Sequence, residues 1–156
     1  MNIAIVTGAS SGMGREFVLQ LPGFVQVDEI WAIARRADAL ETLKAESAVP
    51  VRPISADLCK DESFDALQQL LEAEKHNVRL LVNAAGFGKF GAYHRVSVED
   101  DCRMIQLNCT ALVRMTRMAI PYMAAGSHII AVGCFVNFFP AISICFVAHT
   151  LHKEKC

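Results

Sequence analysis

Thr7-Gly8-Ala9-Ser10-Ser11-Gly12-Met13-Gly14 stands between an apolar run at 3–6 (Ile-Ala-Ile-Val) and the helix-like stretch Arg15-Glu16-Phe17-Val18-Leu19-Gln20-Leu21. Strand, glycine-rich turn and helix, in that order, form the setting in which backbone N–H groups cradle phosphate. The three glycines have separate expected tasks. One permits the tight strand-to-helix turn, and another lets the backbone approach a pyrophosphate with no Cβ in the way. The third allows the helix to pack closely on the sheet. The helix N-terminus then offers unpaired N–H groups and a partial positive charge. Ser10 and Ser11 add hydroxyl donors.

Beyond this loop, short apolar runs alternate with amphipathic stretches. Strands are expected at 3–6, 29–34, 49–55, 78–82 and 128–132, the third made irregular by Pro50 and Pro53. Helices are expected at 15–21 (ended by Pro22-Gly23), 37–47 and 61–74, the last with Phe64, Leu67, Leu70 and Leu71 on one face. Ser97-x-x-Asp100 reads as a capping box opening the longest helix, 97–123. Strands separated by helices imply βαβ units and parallel pairing. Right-handed crossovers then make an α/β, Rossmann-like doubly wound parallel sheet of about five strands.

Composition narrows the class. The 156 residues are 53% hydrophobic and 20% charged with net charge −1, enough for one domain with a real core. That balance carries no basic footprint for nucleic acid. Six cysteines without a C-x-x-C pair, and no signal peptide, suggest free thiols in the cytoplasm. Residues 129–148 lack charge, but Gly133, Asn137 and Pro140 interrupt them, so a buried strand and helix are expected and no membrane span. His149, His152 and Cys156 fall at helical spacing but read as a frayed terminal helix, so no metal site is expected.

The G-x-x-x-G-x-G spacing behind Thr7 resembles the short-chain dehydrogenase/reductase family. Asn83-Ala84-Ala85-Gly86 after the fourth strand is a second match to that family's pattern. Asn108, within Met104-Ile105-Gln106-Leu107-Asn108, is a third. Asp57-Leu58 occupies the position where the family contacts adenine. The resemblance covers residues 1–132 in order, leaving 133–156 as a divergent tail of a single NAD(P)-binding Rossmann domain. It implies that Thr7, Gly8, Ser10, Ser11, Gly12, Met13 and Gly14 hold the nucleotide together with Asn83, Ala84, Ala85 and Gly86. At the end of the second strand, a carboxylate would favour NAD(H) by accepting from the ribose 2′-OH. Ala34-Arg35-Arg36 stands there instead, and its arginines can bond a 2′-phosphate, so NADP(H) is expected over NAD(H).

The resemblance also implies a catalytic set. A serine follows the fifth strand, then come a tyrosine and, one helical turn later, a lysine. The tyrosine is the general acid for the carbonyl oxygen during hydride transfer. The lysine lowers the tyrosine's pKa, the serine positions the carbonyl and an asparagine supports a water-mediated proton relay. Asn108 is retained. With Pro140 setting the register, the serine position falls on Cys134, the tyrosine on Val147 and the lysine on Leu151. Loss of the general acid costs roughly 10²–10⁴-fold. Tyr122 falls on the wrong side of the sheet edge; Tyr93, close to the expected cleft, reads as an apolar wall with nothing to fix it near a lysine, and Lys153 and Lys155 read as tail solubilisers.

Two readings compete. The first is a short-chain oxidoreductase that moves hydride between NADPH and a small-molecule carbonyl or alcohol, inactive in this chain and truncated or frame-shifted after about Val132. The second is a non-catalytic nucleotide-binding or interaction module. The long helix 97–123 is the expected surface for a homo-oligomer.

Overall fold

The computed structural model describes residues 1–89 and 91–132. The calls on Cys134, Pro140, Val147 and Leu151, and on the 149/152/156 cluster, lie outside the described residues.

The chain runs β1 (Asn2–Thr7), α1 (Gly12–Gln20), β2 (Glu29–Ala34), α2 (Ala37–Glu46), β3 (Val51–Ser55), α3 (Asp61–Glu74) and β4 (Asn77–Asn83). It continues with α4 (Val98–Ile105), a π-helical turn (Gln106–Ala111), α5 (Leu112–Ala119) and β5 (His128–Ala131). The five strands form one sheet in the order β3-β2-β1-β4-β5, and every pairing is parallel. The first strand is central; the chain winds to one edge and then crosses β1 to build the other. That reversal lies between β1 and β4, where an open parallel sheet leaves a crevice beyond its strand ends.

Side chains of β1 alternate between two cores. Ile3 and Ile5 join Trp31, Ile33 and Leu81 against α3, the π turn and α5, through Phe64, Leu67, Leu71, Ala111 and Met115. Ala4 and Val6 join Ile30, Ala32 and Val82 against α1 and α2, through Val18, Leu40 and Leu43. The second face is built from smaller residues, which lets α1 lie close to the sheet. A strand buried on both faces reads as a continuous apolar run, as β1 and β2 do.

Three details differ from the sequence reading. Helix α1 begins at Gly12, because the glycine motif itself supplies the first turn. Strand β3 begins at Val51; Pro53 is tolerated because β3 is an edge strand, where a missing N–H breaks no ladder. The long helix is interrupted by the π turn, which periodicity alone did not announce. The Ser97 cap is present: its Oγ accepts from the Asp100 N–H at 3.1 Å. The Asp100 carboxylate also takes the Ser97 hydroxyl at 2.9 Å, and the Ser97 backbone N–H adds to holding that carboxyl low, as a capping box requires. Among the described residues no helix is long and apolar enough to cross a membrane, and no three potential metal ligands cluster.

Candidate functional site

The crevice at the C-terminal ends of β1 and β4 is built by the glycine loop and residues 83–86, and the three glycines serve different ends. Gly8 has φ +70°, and a β-carbon there would sit 2.5 Å from the Ala84 carbonyl oxygen. Its crowding partner is protein backbone and not a phosphate. A β-carbon on Gly14 would meet the Gly8 carbonyl oxygen at 2.4 Å, so α1 is seated against the end of its own strand. Gly12 has φ +55° and nothing within 4 Å of a built Cβ. Of the three, Gly12 is the one that borders open space. Beside it, Ser11 is the N-cap of α1 but makes no side-chain cap bond. The first-turn amides have no partner within the helix and none from the Ser11 side chain. This donor set and its cleared approach suit a pyrophosphate.

Thr7 is buried, and its hydroxyl works inside the protein. Its Oγ1 accepts from the N–H groups of Ala84 and Ala85, both at 3.1 Å, and donates to the Val82 carbonyl at 3.4 Å. Thr7 thus fixes the turn that follows β4. Asn83 is also buried; its Nδ2 donates to Thr116 Oγ1 at 3.1 Å, while Oδ1 has no partner among the described residues. Thr116, on α5, had no signal in the sequence pattern. The contact crosses 33 residues of chain.

The two arginines after β2 part company. Arg36 reaches back over the glycine loop, donating to the Ser10 carbonyl at 3.0 Å and to Ser10 Oγ at 3.3 and 3.4 Å. Arg35 is exposed, and its guanidinium bonds no described residue. Its carbonyl accepts from Ser55 Oγ at 3.2 Å. Among the described residues the Arg35 guanidinium is thus unpartnered, and the next residue along the chain holds Ser10 in place. Asp57 sits past the end of β3, where its Oδ1 accepts from the Cys59 N–H at 3.1 Å. The Leu58 side chain is in the core, so it can offer the crevice only its backbone.

Asn108 lies in the π turn, a feature frequent at functional sites. Its amide clamps one residue at both ends: Oδ1 accepts from the Phe87 N–H at 3.0 Å, and Nδ2 donates to the Phe87 carbonyl at 2.9 Å. Gly86 leaves room for this, since a β-carbon there would come within 3.0 Å of Asn108 Oδ1. Nearby, the Lys89 ammonium beside Asp100, with the Ser97 hydroxyl, holds the Asp100 carboxyl below its ordinary range. Tyr122 is remote from this cluster; its hydroxyl accepts from Gln68 on α3 at 3.4 Å.

The sequence profile of the family described as short chain dehydrogenase matches residues 2–145. Nodulation protein G of Rhizobium sp. is 37% identical over 143 residues, covering 90% of this chain and 55% of its own length. The NADP-dependent 3-hydroxy acid dehydrogenase YdfG of Escherichia coli is 32% identical over 145 residues, covering 88% of this chain and 56% of its own. A Serratia marcescens short-chain dehydrogenase/reductase variant shares the fold, with TM-score 0.75 at 24% identity over 86% of this chain and 56% of that one. A short-chain dehydrogenase from Sphingobium yanoikuyae, solved in complex with NADPH, has TM-score 0.67 at 29% identity over 78% of this chain and 48% of that one. The chain spans about half the length of the curated relatives it matches. With a central glycine loop, a parallel sheet of the order seen here and a profile match over most of its length, the chain belongs to the short chain dehydrogenase family.

Proposed function

We propose that this chain binds NADP(H) across the crevice above β1 and β4, in preference to NAD(H), and does not turn over a substrate. The observation that carries the binding reading is the exposed Arg35 guanidinium, unpartnered among the described residues, adjacent in sequence to Arg36, which bonds the glycine loop at Ser10. The α1 amides around Gly12 would hold the pyrophosphate, Arg35 the 2′-phosphate, and residues 83–86 the far wall. The E. coli relative is named NADP-dependent and the Sphingobium structure holds NADPH, which supports the choice of nucleotide. When bound, the cofactor supplies or accepts hydride at a carbonyl or alcohol carbon. The residues of this chain would bind and orient it. They lack the proton donor that completes the exchange, since Val147 and Leu151 stand at the tyrosine and lysine positions of the family. Cys134, in place of serine, keeps a weaker polar group there. Asn108 would act through the segment it clamps.

The test is a fluorescence titration with NADPH and with NADH, alongside NADPH oxidation over a panel of small aldehydes and ketones. Tighter NADPH binding without oxidation supports the reading. A charge-assisted contact of about 1.5–3 kcal/mol predicts that Arg35→Ala weakens NADPH binding roughly 10- to 100-fold and leaves NADH binding unchanged. Equal affinity for both nucleotides in the intact chain overturns the preference, and oxidation above background overturns the inactivity.

The same reading places the protein in the cytoplasm, where Cys59, Cys102 and Cys109, all free thiols, would stay reduced. It also takes the outward face of the long helix as a contact between copies of the chain. Val98, Ile105 and Val113 are 72%, 60% and 57% exposed along that helix.

A further inference from the structure

The chain leaving β4 has no helix or strand of its own between 84 and 89, so its order depends on what side chains hold it. Its inner end is fixed by Thr7 and by the close approach of Gly8. Its outer end is held by three residues of the long helix spaced four apart. Asn108 clamps both polar groups of the Phe87 backbone. Met104, almost wholly buried, takes the Lys89 N–H on its sulfur at 3.2 Å. Asp100 takes the Lys89 ammonium at 2.6 Å. Positions four apart lie on one face of a helix, so the three contacts form a ladder running antiparallel to the segment it holds. The last rung is itself anchored, because the Asp100 carboxylate also accepts the hydroxyl of Ser97, the N-cap of α4.

We propose that Asp100 and Lys89 are positioning residues: their ion pair, with Met104, sets the resting position of residues 84–89 and thereby the affinity of the crevice for NADP(H). The proposal rests on the reading of residues 83–86 as a cofactor wall. It assigns a role to a surface ion pair that would otherwise count for little. Lys89 is 53% exposed and Asp100 29%, so the pair adds little to global stability. Its effect is local, because it closes the far end of a segment with no ladder hydrogen bonds.

The test is a charge swap in the full chain. Lys89→Glu and Asp100→Lys are made singly and together, with Asp100→Asn as a variant that removes the charge and keeps the side-chain shape. Amide hydrogen exchange at Phe87 and Lys89 and the Kd for NADPH are measured for each. The expected result is faster exchange at both amides and a roughly two- to fivefold higher Kd in the single variants. The double swap restores part of both, since Asp100→Lys also removes the acceptor of the Ser97 hydroxyl; under a merely structural loss the two single effects would add instead. Failure of the double swap to restore either quantity overturns the pairing. Faster exchange with an unchanged Kd overturns the link to the cofactor. If the intact chain binds no NADPH, the cofactor reading falls and takes this proposal with it; the exchange data then show whether the ladder itself still holds.

Discussion

Gly8 and Ala84 approach so closely that a β-carbon on Gly8 would lie 2.5 Å from the Ala84 carbonyl oxygen. The contact joins the phosphate loop to the turn after β4, and it separates two glycines that look alike in the sequence. Gly8→Ala adds left-handed strain of about 1–2 kcal/mol and overpacking of about 1–3 kcal/mol against backbone that cannot swing aside. A loss of about 2–5 kcal/mol in urea unfolding is expected. Gly12→Ala adds only the strain, because nothing lies within 4 Å, and its larger effect should be on nucleotide affinity. Equal destabilisation by the two changes would contradict this division.

Thr7 serves two part-buried amides with one oxygen. Thr7→Val keeps the shape and leaves the Ala84 and Ala85 N–H groups without their acceptor, at a cost of about 2–4 kcal/mol. Thr7→Ser retains the oxygen and should recover most of that loss. Chemical denaturation of the two variants checks the ordering, and a Val variant as stable as the Ser variant would refute it.

Glu74 provides a pH dependence far from the crevice. Its carboxyl is held below the ordinary value chiefly by the hydrogen bond from Arg52; burial opposes this, and the Arg52 and His76 charges add to it. Arg52 bonds it at 2.6 Å and His76 at 2.8 Å. A depressed folded-state pKa stabilises the fold above the unfolded value and loses that contribution as pH falls through the folded one. The pair is part-exposed, so the contribution is under about 1 kcal/mol. The difference in stability between about pH 7 and about pH 4 should shrink in Glu74→Gln. The single tryptophan, Trp31, gives a direct signal, with Arg52 5.3 Å above its ring and His76 edge-on at 6.0 Å. An unchanged pH profile of stability in the Gln variant would show that Glu74 contributes nothing to it.

If the outward face of the long helix covers a second copy, a charge at its middle should split the assembly. Ile105→Glu is expected to shift the sedimentation of the intact chain to a smaller species without loss of helix content. Ile105 points away from the core, so folding should be untouched. A chain that sediments as a monomer before the change would refute the proposed contact.

Much of the fold was legible locally. Strand β2 and helix α3 fall on the residues that apolar runs and helical spacing mark out, because both signals are carried within the element itself. The π turn was not legible. It carries the clamp from Asn108 to Phe87, 21 residues away, and periodicity of the helix holds no record of that partner. Met104 gave the same difficulty: only the folded chain shows its sulfur accepting the Lys89 N–H.

By itself the sequence determined the family, the parallel sheet and the glycine loop, since these rest on short-range spacing and on residue types with few conformational choices. Tertiary structure decided what each residue in the loop does. Arg35 and Arg36 are adjacent and equally charged, yet Arg36 lands on Ser10, 26 residues back, and Arg35 is left exposed. Gly8, Gly12 and Gly14 share a motif, but one is needed for backbone contact with Ala84, one for the seating of α1 and one borders open space. Those differences arise where β1 and β4 are brought side by side, and a contact between segments distant along the chain exists only once both are in place.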